Sequence, residues 1–150
     1  MKKVCTYLLI ALSFTLVSFQ TNYGCDVTGL KAELKPELQP GFKYDSSKTS
    51  QFTYGEKKQG REIEVPLFMG EDYIFLFNLK GLPEAIKVEI YSERIGHKKR
   101  KLLYTLNQKT GTEIYSFKPE KSRKMYVNYT IPGTEKKDLN GCMVFILGYN

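Results

Sequence analysis

Tryptophan is absent from this 150-residue chain, histidine occurs once and cysteine three times. Each scarcity removes a class of function. Eleven tyrosines without a tryptophan read as core and cross-strand packing rather than as a carbohydrate platform. His97, the single histidine, has no carboxylate or serine placed by sequence to serve it as a general base. One histidine and one cysteine pair do not make the ligand set that zinc or copper wants. The acidic residues are scattered among lysines with no Asp-x-Asp calcium loop. With no nucleophile and base to pair, the chain reads as a non-enzyme: no catalytic residue, metal or cofactor is assigned. There is no internal repeat and no low-complexity tract.

What is present begins with an address. Met1-Lys2-Lys3 is a short positive start, followed from Val4 to Phe19 by an apolar run diluted by Cys5, Thr6, Tyr7, Ser13, Thr15 and Ser18. That pairing marks an export signal, assigned to residues 1–24. A spanning helix needs about 20 predominantly apolar residues, and this run is shorter and ends at the polar Gln20-Thr21-Asn22. Ser18-Phe19-Gln20 and Asn22-Tyr23-Gly24 are both imperfect cleavage sites. The product is expected to be exported, periplasmic or extracellular.

Gly24-Cys25 admits a second ending, in which Cys25 becomes a lipidated N-terminus and the protein is lipid-anchored. Asn22 and Tyr23 depart from the aliphatic and small residues that a lipoprotein signal carries there. The other use of Cys25 is a disulfide. Cys5 leaves with the signal, so Cys25 and Cys142 form one pair in a compartment that permits oxidation. Closing a loop of roughly a hundred residues stabilises by about 4 to 5 kcal/mol in the chain-entropy model. The two readings exclude one another, and membrane contact is expected only with a lipidated Cys25.

The formal charge of +7 becomes +5 without residues 1–24, since Lys2 and Lys3 are lost from 23 basic residues and none of the 16 acidic ones goes. A moderately basic product favours anionic surfaces. About 126 residues remain, enough for one core and too few for two.

Tyr73 to Leu79, reading Tyr-Ile-Phe-Leu-Phe-Asn-Leu, is apolar on both faces of an extended strand, as is Cys142 to Tyr149. Such ribbons belong in the middle of a sheet, with protein above and below. Around them are half-buried alternations: Phe52 and Tyr54; Ile63, Val65 and Leu67 with Glu62 and Glu64 outward; Ile86, Val88 and Ile90 with Lys87 and Glu89 facing solvent; Met125, Val127, Tyr129 and Ile131. Leu102 to Leu106 and Glu113 to Phe117 add two shorter strands. Residues 55–60 are polar and predict a hairpin, and Pro66 predicts an edge strand or a bulge. In residues 25–48 Leu30, Leu34 and Leu38 recur at helical spacing, but Pro36, Pro40 and Gly41 interrupt them, so this lead-in is expected to hold little regular structure. The expected fold is all-β: a single antiparallel β-sandwich of about seven or eight strands over residues 49–150, with a small closed β-barrel as the alternative.

The run Phe117-Lys118-Pro119-Glu120-Lys121-Ser122-Arg123-Lys124-Met125-Tyr126-Val127 is similar to the entry into a late strand in pre-peptidase C-terminal domains, over about a tenth of the chain. Taken whole, with its signal, its Cys-Asp-Val-Thr-Gly-Leu start and its basic sandwich, the chain resembles small uncharacterised exported proteins of Bacteroidota. The resemblance implies an accessory or binding role and transfers no catalytic residue.

The strongest binding candidate is the loop holding Arg94, His97, Lys98, Lys99, Arg100 and Lys101. Five cations in eight residues can neutralise several phosphates or sulfates, and Tyr91 and Tyr104 are expected to flank them as exposed aromatic surface. A solvated hairpin tip has the same composition, and lysines beside strand ends also blunt edge pairing. Lys121, Arg123 and Lys124 strengthen the site if the fold brings them alongside. Asn128-Tyr129-Thr130 matches the glycosylation pattern but lies inside a strand, where it reads as chance. The expectation is thus a non-enzymatic exported binding or accessory protein of the cell envelope, contacting a protein or an anionic envelope polymer rather than nucleic acid. The alternative is a structural subunit of an envelope assembly that works through sheet edges.

Overall fold

A computed structural model of the protein describes residues 25–150; the expected signal peptide lies outside them. Helix α1 (Val27–Leu34) runs into a 3-10 turn (Lys35–Leu38) and is followed by eight strands: β1 (Lys43–Thr53), β2 (Gln59–Val65), β3 (Tyr73–Asn78), β4 (Lys87–Tyr91), β5 (Leu102–Thr105), β6 (Ile114–Phe117), β7 (Met125–Ile131) and β8 (Asn140–Tyr149). They form two four-stranded antiparallel sheets, sheet A ordered β1-β8-β3-β6 and sheet B ordered β2-β7-β4-β5. The fold is a β-sandwich with the strand order of a jelly roll, and no closed barrel forms.

Of the seven connections, only that between β4 and β5 joins two strands of one sheet as neighbours. The expected hairpin at residues 55–60 is instead a crossover, with β1 pairing with β8 and β2 with β7. Alternation reports which face of a strand is buried, not which strand lies beside it. Phe52 and Val65 belong to the core between the sheets, one on each sheet, rather than to two strands paired in one sheet. β2 is an edge strand that ends at Val65, so Pro66 withholds no ladder hydrogen bond.

The two doubly apolar ribbons, β3 and β8, are hydrogen-bonded neighbours in the middle of sheet A. Their inner faces send Phe75, Phe77, Met143, Phe145 and Leu147 into the core between the sheets. The rings of Phe75, Phe77 and Phe145 lie 5.6–6.4 Å apart there. Their outer faces, Ile74, Leu76, Val144 and Ile146, are roofed by Leu30, Leu34 and Leu38. One covering layer is therefore a sheet and the other a helix, which the lead-in was not expected to provide.

That helix forms because its signals outweigh the prolines. Asp26 caps it, its carboxylate accepting from Gly29 N at 2.9 Å. Pro36 falls at the start of the 3-10 turn, where an absent N–H costs little. Asn78, wholly buried on β3, donates to Leu30 O at 3.1 Å and to Glu33 Oε2 at 2.9 Å, and so pins the roof to the sheet. The Cys25–Cys142 disulfide ties the start of the roof to the start of β8, with the Cα atoms 6.0 Å apart. Gly81 lets this junction close, since a Cβ there would stand 2.6 Å from Cys142 O. Among the described residues no helix is long and apolar enough to cross a membrane.

Candidate functional site

The register places the connections 66–72, 92–101 and 118–124 at one end of the sandwich, beyond Tyr73 on β3, Tyr91 on β4 and Met125 on β7. Within the 92–101 loop, Ser92 N donates to Lys101 O at 2.9 Å, and Lys101 N to Ser92 Oγ at 3.0 Å. Two successive turns follow inside it, His97 N to Arg94 O and Arg100 N to His97 O, both at 3.1 Å, with Gly96 in the left-handed region. The basic run is thus a compact, folded-back loop.

Its anchor is Arg100. The guanidinium lies 3.6 Å from the centre of the Tyr91 ring, and Nη1 donates to Glu93 O at 2.6 Å and to Glu62 Oε2 at 2.7 Å. The other Glu62 oxygen accepts from Ile95 N at 3.0 Å. Both oxygens of one β2 carboxylate therefore hold the loop against the outer face of sheet B. Of the six residues expected to bind, Arg100 is a half-buried strut. His97 accepts from Lys99 N at 3.2 Å and has Glu93 at 3.8 Å. Arg94, Lys98, Lys99 and Lys101 are exposed and make no ion pair among the described residues. Together with His97 and Ile95, the first three line an open depression of 510 Å³.

The expected aromatic flank is not there. Tyr91 is half-buried beneath Arg100, and Tyr104 turns toward the core and stacks on Phe117 at 4.7 Å. Tyr104 pairs directly with the core residue Ile90 and therefore shares its inward face. Glu89, expected to face solvent, does point outward but is buried between β5 and β7, where Lys87 pairs with it at 2.7 Å.

The fold does bring the second basic segment alongside. Lys118, Lys121 and Arg123 share a 420 Å³ groove with Leu102 at the start of β5. Lys124 pairs with Glu64 at 2.7 Å, and that hydrogen bond holds the Glu64 carboxyl below the usual carboxylate range. Ser122 Oγ donates to Glu71 O, joining this turn to the 66–72 loop. These three loops contain nine cations and four carboxylates; the rest of residues 25–150 holds twelve of each. The whole net charge of the described protein therefore sits in three loops at one end.

The sequence reading missed what accompanies that charge. Phe68 is 74% exposed, Met69 91%, Ile95 62% and Leu102 52%. Tyr44, less open than any of these, is the one other exposed large apolar side chain among the described residues. The signal was present: Phe68 is out of phase with Ile63, Val65 and Leu67, and Met69 opens a turn where polar residues are usual.

Among the described residues no cluster of three His, Cys, Asp or Glu could hold a metal ion. A second concavity, of 930 Å³, opens between the free edges of β1 and β2. Arg61 Nη1 there donates to Gln51 O at 2.6 Å and Gln59 Nε2 to Thr53 O at 3.0 Å, lacing the two edges together. Tyr129 lines it, fully buried; its hydroxyl makes no hydrogen bond within 3.5 Å, and burial raises its ionisation above the tyrosine range, the nearby Ser50 hydroxyl offsetting only part. Compared with known protein families, curated proteins and solved structures, the chain matches none.

Proposed function

We propose that this chain is an exported, non-enzymatic binding protein of the cell envelope that holds an anionic surface through its loop end. The observation that carries the reading is the segregation of charge: net +5 in three adjoining loops and electrical balance elsewhere in residues 25–150. A field of one sign on one face raises the local concentration of an anionic partner and orients its approach. Arg94, Lys98, Lys99, Lys101, Lys121 and Arg123 present the charge, while Arg100 and Glu62 hold the loop in shape. The disulfide is compatible with an oxidising compartment, and the N-terminal signal and the resemblance to exported proteins of Bacteroidota point the same way.

Assembly through sheet edges is less well supported. β1 is an edge strand of eleven residues, but Arg61 and Gln59 cap its carbonyls at one end. A bulge between Tyr44 and Ser46, with Lys43 and Lys48 along the strand, blunts the other.

Binding to dextran sulfate tests the reading. The protein should bind at low ionic strength and weaken steeply toward physiological salt. Reversing Lys98, Lys99, Lys101 and Lys121 together to Glu should abolish binding, while the same change at Lys57, Lys58, Lys136 and Lys137, at the opposite end, should leave most of it. Equal loss from both quadruple variants would refute the assignment to the loop end.

A further inference from the structure

We infer that the surface this loop end engages is an anionic lipid bilayer, entered by Phe68 and Met69 and held by the surrounding cations. The inference rests on the charge-based reading above and adds what charge alone leaves unexplained. A soluble polyanion is satisfied by lysine and arginine, and nothing in it rewards a phenylalanine and a methionine held in water. Single exposed apolar residues are ordinary on protein surfaces. Here two consecutive ones stand exposed in the 66–72 loop, which itself carries Glu71 and Asp72, and two more stand on the neighbouring loop and strand start, while the nine cations of this end lie on the adjoining 92–101 and 118–124 loops.

The combination matches the two forces that hold proteins at a membrane interface: burial of apolar side chains at the acyl boundary, and attraction of cations to anionic headgroups. The 66–72 loop is mounted on rigid parts. Gly70 takes the left-handed conformation that turns the loop, and the Tyr73 hydroxyl accepts from Phe68 N at 3.2 Å. Asp72 and Asn150 exchange two backbone hydrogen bonds at its base, and Ser122 holds Glu71. Phe68 and Met69 are therefore presented before any membrane arrives, which lowers the ordering cost of docking.

Orientation follows from the topology. Cys142 lies at the start of β8, so the disulfide and the point where the described chain begins are at the end away from Phe68. Cys25 is consumed by that bond, so membrane contact comes from the protein's own surface and needs no acyl chain on this residue.

The absence of tryptophan supplies a clean probe. In purified protein with its disulfide intact, Met69→Trp introduces a single indole in the 66–72 loop, and Lys137→Trp places one at the far end. Both are mixed with phosphatidylcholine vesicles containing phosphatidylglycerol, with pure phosphatidylcholine vesicles and with dextran sulfate. The expected result is a blue shift of the Met69→Trp emission with the anionic vesicles alone, and none for Lys137→Trp in any mixture. Phe68→Ser with Met69→Ser should lower vesicle affinity by about a hundredfold, since each side chain carries roughly tenfold, and leave dextran sulfate binding unchanged. Binding to dextran sulfate without binding to vesicles would overturn the bilayer and leave the anionic-surface reading standing. Failure to bind either would overturn both. Vesicle binding that keeps an unshifted indole at position 69 and tolerates the double serine variant would also refute the inference, because contact would then be electrostatic and not insertional.

Discussion

Sheet A buries both faces of its central strands β3 and β8, whereas sheet B buries one face and turns Glu62, Glu64, Lys87, Glu89, Tyr126, Asn128 and Thr130 outward. The difference comes from chain order. The residues that precede β1 have sheet A within reach, and Leu30, Leu34 and Leu38 arrive one helical turn apart, so the outer rows of β3 and β8 can be wholly apolar. Nothing comparable covers sheet B, which must satisfy its outward residues with each other and with the folded-back 92–101 loop. Stability is thereby invested on one side and a polar, charge-bearing surface is left on the other.

Truncation inside the roof should break this contrast most severely. Leu34 is fully buried between the helix and sheet A, and Leu34→Ala should cost about 2–5 kcal/mol in denaturant unfolding. Thr130→Ala on the outer face of sheet B should stay within about 0.5 kcal/mol. Equal effects would show that the helix is an ornament on a self-sufficient sandwich. Next in size is the disulfide, which spans 117 residues. Replacing both Cys25 and Cys142 by Ala should cost about 2–4 kcal/mol. Hydrogen exchange should then rise first in α1, because the bond fastens the roof at its leading edge.

How far this design was legible in the sequence differs between its parts. The rows Ile63-Val65, Ile86-Val88-Ile90 and Met125 to Ile131 showed their buried faces because period-two alternation is local. The neighbours of each strand were not legible, since β1 and β8 meet only after almost a hundred residues have been laid down. β1 itself begins at Lys43, inside the expected lead-in, because a polar edge strand exposed along most of its length shows no alternation. The helix is half legible: the spacing of Leu30, Leu34 and Leu38 is plain, but a proline in sequence reads as a breaker, and only the fold places Pro36 at the start of a turn. At the candidate site the cations were legible as a run. The duty of Arg100 was not, since it depends on Glu62, 38 positions earlier. The aromatic flank failed for a related reason, as the face of Tyr104 depends on its pairing with Ile90 across the sheet, 14 positions earlier.

On the sheet B side, the smaller but informative perturbation is Arg100→Ala. It removes a partly buried ion pair and a ring contact, and should cost about 1–2 kcal/mol. Its sharper signature is local: amide exchange of Ile95 and Arg100 should accelerate while α1 keeps its protection. Glu62→Gln should reproduce much of this, since Gln offers one carbonyl oxygen where the carboxylate accepts two hydrogen bonds. If Arg100→Ala loosened α1 as much as the loop, the two faces would not be independent.

The smallest expected effect distinguishes the faces by pH. Glu33 and Lys80 join the roof to the end of β3 at 2.8 Å. The hydrogen bond from Lys80, followed by that from Asn78, holds the Glu33 carboxyl below its ordinary 4.5. The same pair raises the Lys80 ammonium above its ordinary 10.5. A lowered carboxylate contributes stability above its unfolded value and loses it as pH falls through the folded one; a raised ammonium contributes below its unfolded value and loses it as pH rises through the folded one. The contribution of the pair should therefore be flat across neutral pH and fade at both extremes. Because both groups are exposed, it should be small and weaken with salt. The check is the difference in melting temperature between the parent protein and Glu33→Gln. That difference should shrink below pH 4.5 and again above pH 10.5. A difference constant through both limits would mean that Glu33 secures the roof through its neutral hydrogen bond to Asn78 and not through charge.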